Sequence, residues 1–505
     1  MALISPGVES IESNLTNTIN NASTGRAALV GQFSWGSPTT ITKITNESEL
    51  VQFYGKPNEE NFMSFFSAAN FLSYGNDLRI LRAVNSDAAK AVYVAGSGLQ
   101  AKYVGKYGNK LSLETFTSET PLSTLSKYYP YAMQGNEVLI VVRLDGGVVE
   151  THFASTDVDA VDIYSNSLYV ADVLERSSNY IEDDGEIGDL VGDSSDTLMT
   201  GGDDGETGLE ASYIAGWDAF QDRYEIYVNL FIAGDSAEIG DTVVTKLKDI
   251  MELRQDALAL ISPRKIDVVD APDVTTAVSN IVEYKNTTLN LTSTYVAMDG
   301  NFKYQFDKYN DKYRWVPLNG DIAGLCVYTD AVAAPWFSPA GVNRGQIRNV
   351  TRLALSTNES HRASLYEGAI NPVVSFSSQG FFLYGDKTAS IAPTAFGRIN
   401  VRRLFNVLKK AISDSSQYKL FELNDNFTRV SFKAEIDQYL QSVKSQRGIV
   451  EFFTVVNTDN NTPQVIDSNE FVADIYIKPP RSINFIQLNF VAVGTGVSFN
   501  ELLTR

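Results

Sequence analysis

The chain has 505 residues, 44% hydrophobic and 20% charged, with a net charge of −20, which is enough for about three domains with sizeable cores. A single cysteine, Cys326, excludes an intrachain disulfide. Two histidines, His152 and His361, leave little from which to build a zinc site or a Cys/His pair, and the acidic balance disfavours nucleic acid as a partner. The opening MALISPGVES has no basic segment ahead of an apolar one, and no run approaches the roughly 18 apolar residues of a membrane span. Neither a secretory signal nor direct membrane insertion is expected.

Residues 1–24 read as an arm. From Ser13 to Thr24, nine of twelve residues are Asn, Ser or Thr, with Leu15 and Ile19 the only sizeable apolar ones, too little to offset the cost of ordering the backbone. Two readings are open: a frayed terminus, or an extended segment that becomes a strand on a neighbour's sheet edge. From Ala27 the pattern is globular. Residues 61–74 (NFMSFFSAANFLSY) set Phe62, Phe65, Phe66, Ala69 and Leu72 on one helical face, with Gly75 as the stop, and 78–84 reads as a strand.

The acidic excess is concentrated in residues 95–210, which carry 6 basic and 21 acidic side chains. This stretch is strand-rich, at 137–144 and in the alternation around 148–153. It ends in a segment, 182–210, with eleven carboxylates and no Lys or Arg. The segment lacks the EF-hand register and reads as a solvated loop with consecutive Asp-Gly turns.

The next block is the α/β signal. A strand at 225–232 precedes a helical face of Val243, Val244, Leu247, Ile250 and Met251. A short strand at 257–261 follows, then a helix opened by Pro272 and Asp273 with Val274, Val278, Ile281 and Val282 inward, then a strand at 294–298. That order implies a parallel sheet with crossover helices. No nucleotide site is expected in it. Ala233-Gly234-Asp235-Ser236 offers one glycine and an acid where a phosphate cradle needs several glycines, and in Gly385-Asp386-Lys387-Thr388 an acid interrupts the Gly-Lys step. No cofactor is implied, and any mechanical work must draw on energy stored in packing.

Residues 378–505 are mildly basic, with 14 basic and 12 acidic side chains. A helix at 401–412 buries Val401, Leu404, Phe405, Leu408 and Ile412 and sets Arg402, Arg403, Lys409 and Lys410 mainly off that face. Phe432, Ile436, Leu440 and Val443 mark a second helix stopped by Gly448, and strands are expected at 449–456, 471–477 and 483–493. Such a sheet presents an open edge that either aggregates or recruits a strand.

Several stretches in chain order resemble phage tail sheath proteins, nearest those of large enterobacterial-type myophages. They are Leu3-Ile4-Ser5-Pro6-Gly7-Val8-Glu9, 299–317 (DGNFKYQFDKYNDKYRWVP), Asp321-Ile322-Ala323-Gly324, Trp336-Phe337-Ser338-Pro339-Ala340-Gly341, Ala369-Ile370-Asn371-Pro372, Tyr384-Gly385-Asp386-Lys387-Thr388, 398–405 (RINVRRLF), 463–467 and 471–488. The resemblance covers 1–94 and 211–505. It departs at 95–210, long enough for one outer domain only, so the outermost insertion of larger relatives is absent or shortened.

The resemblance implies a structural subunit with no catalytic, metal or cofactor residues. Such subunits stack as six-fold rings around the tail tube, and baseplate activation shortens the array and drives the tube through the host envelope. The implied fold is α/β and α+β multidomain. It comprises an N-terminal linker arm (1–24), an α/β core (25–94 and 211–377), a β-rich acidic protruding outer domain (95–210) and a C-terminal α+β, tube-facing domain (378–505). The last is completed by inter-subunit strand addition. The linkers are the arm, with Ser5, Pro6, Gly7, Val8, Leu15 and Ile19, and residues 494–505, with Val497 and Phe499. Implied partners are further copies of the chain, the tail tube protein, and the baseplate and tail terminator proteins, in a virion tail assembled in the host cytoplasm. Arg402, Arg403, Lys409 and Lys410 either face an acidic tube surface or brace the domain through local carboxylates. The alternatives are the sheath of a related contractile injection system and a carbohydrate-active hydrolase using paired carboxylates.

Overall fold

The computed structural model describes Ile19 and residues 23–94, 98–185, 194–376 and 379–484. Ser5, Pro6, Gly7, Val8, Leu15, Val497 and Phe499 lie outside the described residues, as do most of the strand expected at 483–493 and the middle of the acidic stretch.

The chain begins with the centre of its main sheet. Strand β1 (Ala27–Gln32) opens with Ala27, Ala28, Leu29 and Val30, all fully buried, as a parallel strand covered on both faces requires. Strand β2 (Thr42–Ile44) is the antiparallel edge, and β3 (Leu78–Ala83) lies between it and β1. The helix Glu47–Tyr54 is capped reciprocally: Glu49 N–H donates to Asn46 Oδ1 at 2.9 Å, and Thr45 N–H donates to the Glu49 carboxylate at 2.8 Å. The helix Phe62–Leu72 buries Phe65, Phe66 and Phe71, while Phe62, Ala69 and Leu72 are half-buried. It ends at Ser73 rather than being stopped by Gly75.

The chain then leaves the sheet for a separate, mostly antiparallel unit. Strands β4 (Leu99–Ala101), β5 (Leu111–Thr117), β6 (Glu137–Leu144), β7 (Gly147–Ser155), β8 (Ile181–Asp183) and β9 (Thr197–Leu198) form an antiparallel sheet of order β7-β6-β5-β9 and a β4-β8 pair. One face packs Leu113, Ile140 and Val142 against Val170 and Leu174 of the helix Val170–Ser177. The other covers Leu139 and Val141 with Phe116, Leu125 and Met133. Two backbone strips join this unit to the core, pairing Ala89 with Asp203 and Val92 with Thr200. Buried Arg82 reinforces the junction by donating to the carbonyls of Phe33 (2.8 Å) and Val104 (2.9 Å).

The chain returns through the helix Leu209–Asp218 to β10 (Leu230–Ile232), the helix Asp241–Arg254, β11 (Leu258–Ile261), the helix Val274–Glu283 and β12 (Val296–Met298). All three strands are parallel to β1, giving the order β12-β11-β10-β1-β3-β2. The expected strand at 225–232 shrinks to its last three residues. Asp222 folds the preceding segment into a turn, accepting from Tyr224 N–H at 2.7 Å on its side chain and from Ile226 N–H at 3.1 Å on its carbonyl.

Beyond the sheet come the hairpin β13 (Phe302–Asp307) and β14 (Lys312–Pro317), the helix Asn319–Val332, β15 (Arg352–Leu353), the helix Glu359–Glu367 and the hairpin β16 (Val373–Phe376) and β17 (Gly380–Leu383). The helix Asn319–Val332 lies so close to Phe62–Leu72 that a Cβ on Gly320 would sit 2.1 Å from Ser67 O; only glycine allows that approach. The chain closes with the helices Ile399–Gln417 and Asn426–Ser445 and the pair β18 (Glu451–Val455) and β19 (Asp474–Lys478).

Candidate functional site

The C-terminal unit is built around the two helices 399–417 and 426–445. Leu404, Leu408, Phe432, Ile436, Leu440 and Val443 form its buried centre together with Trp336 from the core. The β18–β19 pair lies on this layer, but Phe452, Ile475 and Ile477 are only half-buried there. Phe453 and Tyr476 stand 65% and 61% exposed. Among the described residues the pair has no further strand on either edge. A two-stranded antiparallel ribbon is at best marginal alone, and its edges present unpaired N–H and C=O groups.

Beside β19 an apolar groove of about 410 Å³ runs along the helix 399–417, lined by Phe405, Leu408, Ile412, Ile475 and Ile477. The arm leads toward this layer. Ser23 O accepts from Tyr227 OH at 2.8 Å and Asn229 Nδ2 at 2.9 Å, Thr24 lies beside Arg403 and Val407, and Ile19 packs half-buried against the C-terminal cluster. Of the eight expected linker residues, Ile19 is the one within the described residues.

Of the two readings of the four cations, a tube-facing row or a local brace, Arg402 and Arg403 are corrected out of the row. Arg402 and Arg403 are each 5% exposed and point into the protein. Arg402 lies between the rings of Tyr295 and Phe396, 4.1 Å from each centroid, and donates to Thr294 Oγ1 at 2.8 Å. Arg403 pairs with Asp330 at 2.5 Å and donates to Cys326 O. The physical reason is that this helix is sandwiched between core and C-terminal layer, so it has two inward faces. Both arginines brace the core against the terminal unit. Lys409 remains exposed, and Lys410 pairs with Asp414 at 2.8 Å over the ring of Tyr227.

Several of the motifs that carry the resemblance supply buried polar contacts in the core. Asp299 accepts from Ser262 Oγ at 2.6 Å, and that hydroxyl accepts in turn from the N–H groups of Leu318 and Asn319 at the head of the helix 319–332. Lys303 pairs with Asp321 at 2.8 Å, both fully buried. Asn371 holds the Tyr384–Thr388 segment through both backbone groups of Lys387, at 2.7 and 2.8 Å. Asp386 pairs with Arg398. Asp235, in the loop after β10, accepts from Tyr213 OH at 2.6 Å, and Gly234 O accepts from Asn319 Nδ2 at 2.8 Å. Burial pushes the Cys326 thiol up to about 11, the state of a packing residue. Periodicity alone assigns the acids, amides and Lys303 of these stretches no structural role; the loops at Asp235 and Asp386, rejected as phosphate cradles, are tied instead by Tyr213 and Arg398.

Three families match consecutive stretches: "Tail sheath protein Gp18 domain III N-terminal region" at 24–83, "Phage tail sheath protein central domain" at 209–389, and "Phage tail sheath C-terminal domain" at 392–492. The tail sheath protein of Vibrio phage KVP40 is 36% identical, with 100% of both chains covered. That of Enterobacteria phage T4 is 37% identical, with 99% of both covered. The KVP40 alignment runs over 674 positions against 505 residues here, so that relative carries insertions this chain does without. In fold, the chain is similar to the contracted helical sheath of the anti-feeding prophage, with a TM-score of 0.56 and 14% identity over 97% of this chain and 99% of that one. The chain belongs to the contractile phage tail sheath family, structural proteins rather than enzymes.

Proposed function

We propose that the chain polymerises as stacked six-fold rings around a tail tube, in a virion tail, and that shortening of the array drives the tube through the host envelope. The observation that carries this reading is the β18–β19 pair, which among the described residues has no strand on either edge, on the layer against which Ile19 packs. In the proposed assembly, residues 1–24 of one copy and 494–505 of another add strands to it. Main-chain hydrogen bonds then link subunits through a joint that tolerates rigid-body rotation. Removing residues 1–20 is expected to leave a folded, soluble subunit that forms no rods in negative stain. Long rods from that truncation would contradict the reading.

The tube contact falls to Lys409 and Lys410, because Arg402 and Arg403 are engaged internally. Reversing both lysine charges is expected to weaken copolymerisation with tube several-fold at low salt and little at high salt, where exposed charges are screened. An unchanged yield at low ionic strength would remove this contact.

A further inference from the structure

The β13–β14 hairpin is amphipathic in the reverse of the usual sense. Its inward face carries Lys303, Gln305, Asp307 and Arg314, all 6% exposed or less. Each is engaged there: Lys303 pairs with Asp321 at 2.8 Å, Gln305 Oε1 accepts from Asn70 Nδ2 at 2.9 Å, and Arg314 pairs with Asp307 at 2.7 Å and with Glu59 at 2.9 Å. The alternation of strand side chains then sends Tyr304, Phe306, Tyr313 and Trp315 to the other face. An antiparallel pair with one solvated side ordinarily turns its apolar residues to the core and its polar ones to water.

On the outer face the rings form a platform. Tyr304 lies opposite Trp315 and Phe306 opposite Tyr313, with centroids 4.6 and 5.3 Å apart, and Tyr304 stacks on Tyr313 at 5.2 Å. Arg352 of β15 lies 4.7 and 5.1 Å from the centroids of Tyr304 and Trp315. Phe306 and Tyr313 are 47% and 48% exposed, and Tyr304 and Trp315 are half-buried. The engaged inward face fixes the register, so the hairpin cannot turn over to hide its rings. Buried charges with exposed aromatics on one hairpin mark a face that another surface covers.

We infer that this aromatic platform docks against a second copy of the chain. Charge favours that partner. Copies that each carry 20 surplus negative charges repel one another, and a platform of four rings and one cation, with no carboxylate among them, is a place where two can approach. Arg352 calls for a carboxylate on the facing surface, which an acidic copy supplies. Area favours an array over a free dimer. Aromatic side chains bury about 150–250 Å² each. With nearly half of two rings open and less of the others, the platform offers about 300 Å², short of the roughly 800 Å² per partner of a stable pair. Contacts of that size hold when they are repeated along a lattice. The inference rests on the reading that the chain polymerises, and adds a face distinct from the arms and from Lys409 and Lys410.

Two measurements on the full-length chain test it. Phe306→Thr with Tyr313→Thr keeps strand-forming residues in place. It is expected to cut rod yield, by sedimentation and negative stain, at least tenfold, while the soluble subunit melts within about 4 °C of the unaltered one. In rods of chain carrying photo-reactive p-benzoylphenylalanine at position 313, irradiation is expected to join two copies; in dilute, unassembled chain it is not. Undiminished rods from the double variant, or cross-links in rods that are absent or confined to one copy, would overturn the assignment. Should the double variant melt lower than stated, the cross-link alone decides. If the unaltered chain builds no rods, the polymerisation reading fails and this inference with it. If truncation of residues 1–20 blocks rods while the double variant does not, only the platform assignment fails.

Discussion

Asp299 is fully buried, accepting from Ser262 Oγ and from Asn301 N–H, and burial pushes its carboxyl up to about 7. The folded chain keeps this proton until near neutral pH, whereas an unfolded chain releases it near 4. Between those values the folded state binds more protons, so stability falls as pH rises, by up to about 1.4 kcal/mol per unit from this group. Buried Asp235 is raised as well and contributes with the same sign. Asp299→Asn is expected to lift the urea midpoint relative to the unaltered chain by about 4 kcal/mol equivalent at pH 8 and by only about 1–2 kcal/mol at pH 5. An equal effect at both pH values would contradict the assignment. At this scale the sequence was least legible. Arg402 and Arg403 fall off the apolar stripe of their helix, and nothing in one helix's periodicity discloses a second element packed on its other side. Asp330, Thr294 and Tyr295, which receive these two arginines, are 73, 108 and 107 positions distant in chain terms and become partners only through the fold.

Elements were read more faithfully, for reasons visible in their residues. Val243, Val244, Leu247, Ile250 and Met251 all face inward on one helix, and the helix that follows is opened by Asp273, whose carboxylate accepts from Thr275 and Thr276 N–H at 2.9 and 3.0 Å. Apolar period and cap chemistry are local properties. The strand at 225–232 was over-read because its apolar alternation (Ile226, Val228, Leu230) fits a strand, while the Asp222 turn that consumes its first half depends on a side chain outside the run. The role of Ala27–Gln32 as the strand between β3 and β10 was also not anticipated. Its neighbours lie about 50 and 200 residues away, and a short buried run carries no information on what it pairs with.

For the whole molecule, the strand–helix alternation is a property of residues 211–298, yet the sheet it builds is shared with residues 27–83 across the inserted antiparallel unit. That inserted unit sits on a neck of paired backbone bolted by Arg82. The C-terminal unit is tied to the same core by the buried Arg403–Asp330 pair and by Arg402. Among the described residues its own sheet is two strands wide. Each subunit in the proposed lattice is thus firm internally and unfinished at one place, and subunits move relative to one another through that place. A cryo-electron reconstruction of rods grown from the purified chain tests this directly. The expected map shows β18 and β19 flanked by strands traced to the termini of other copies. A ribbon that stays two-stranded, or is completed by its own chain's termini, would contradict it.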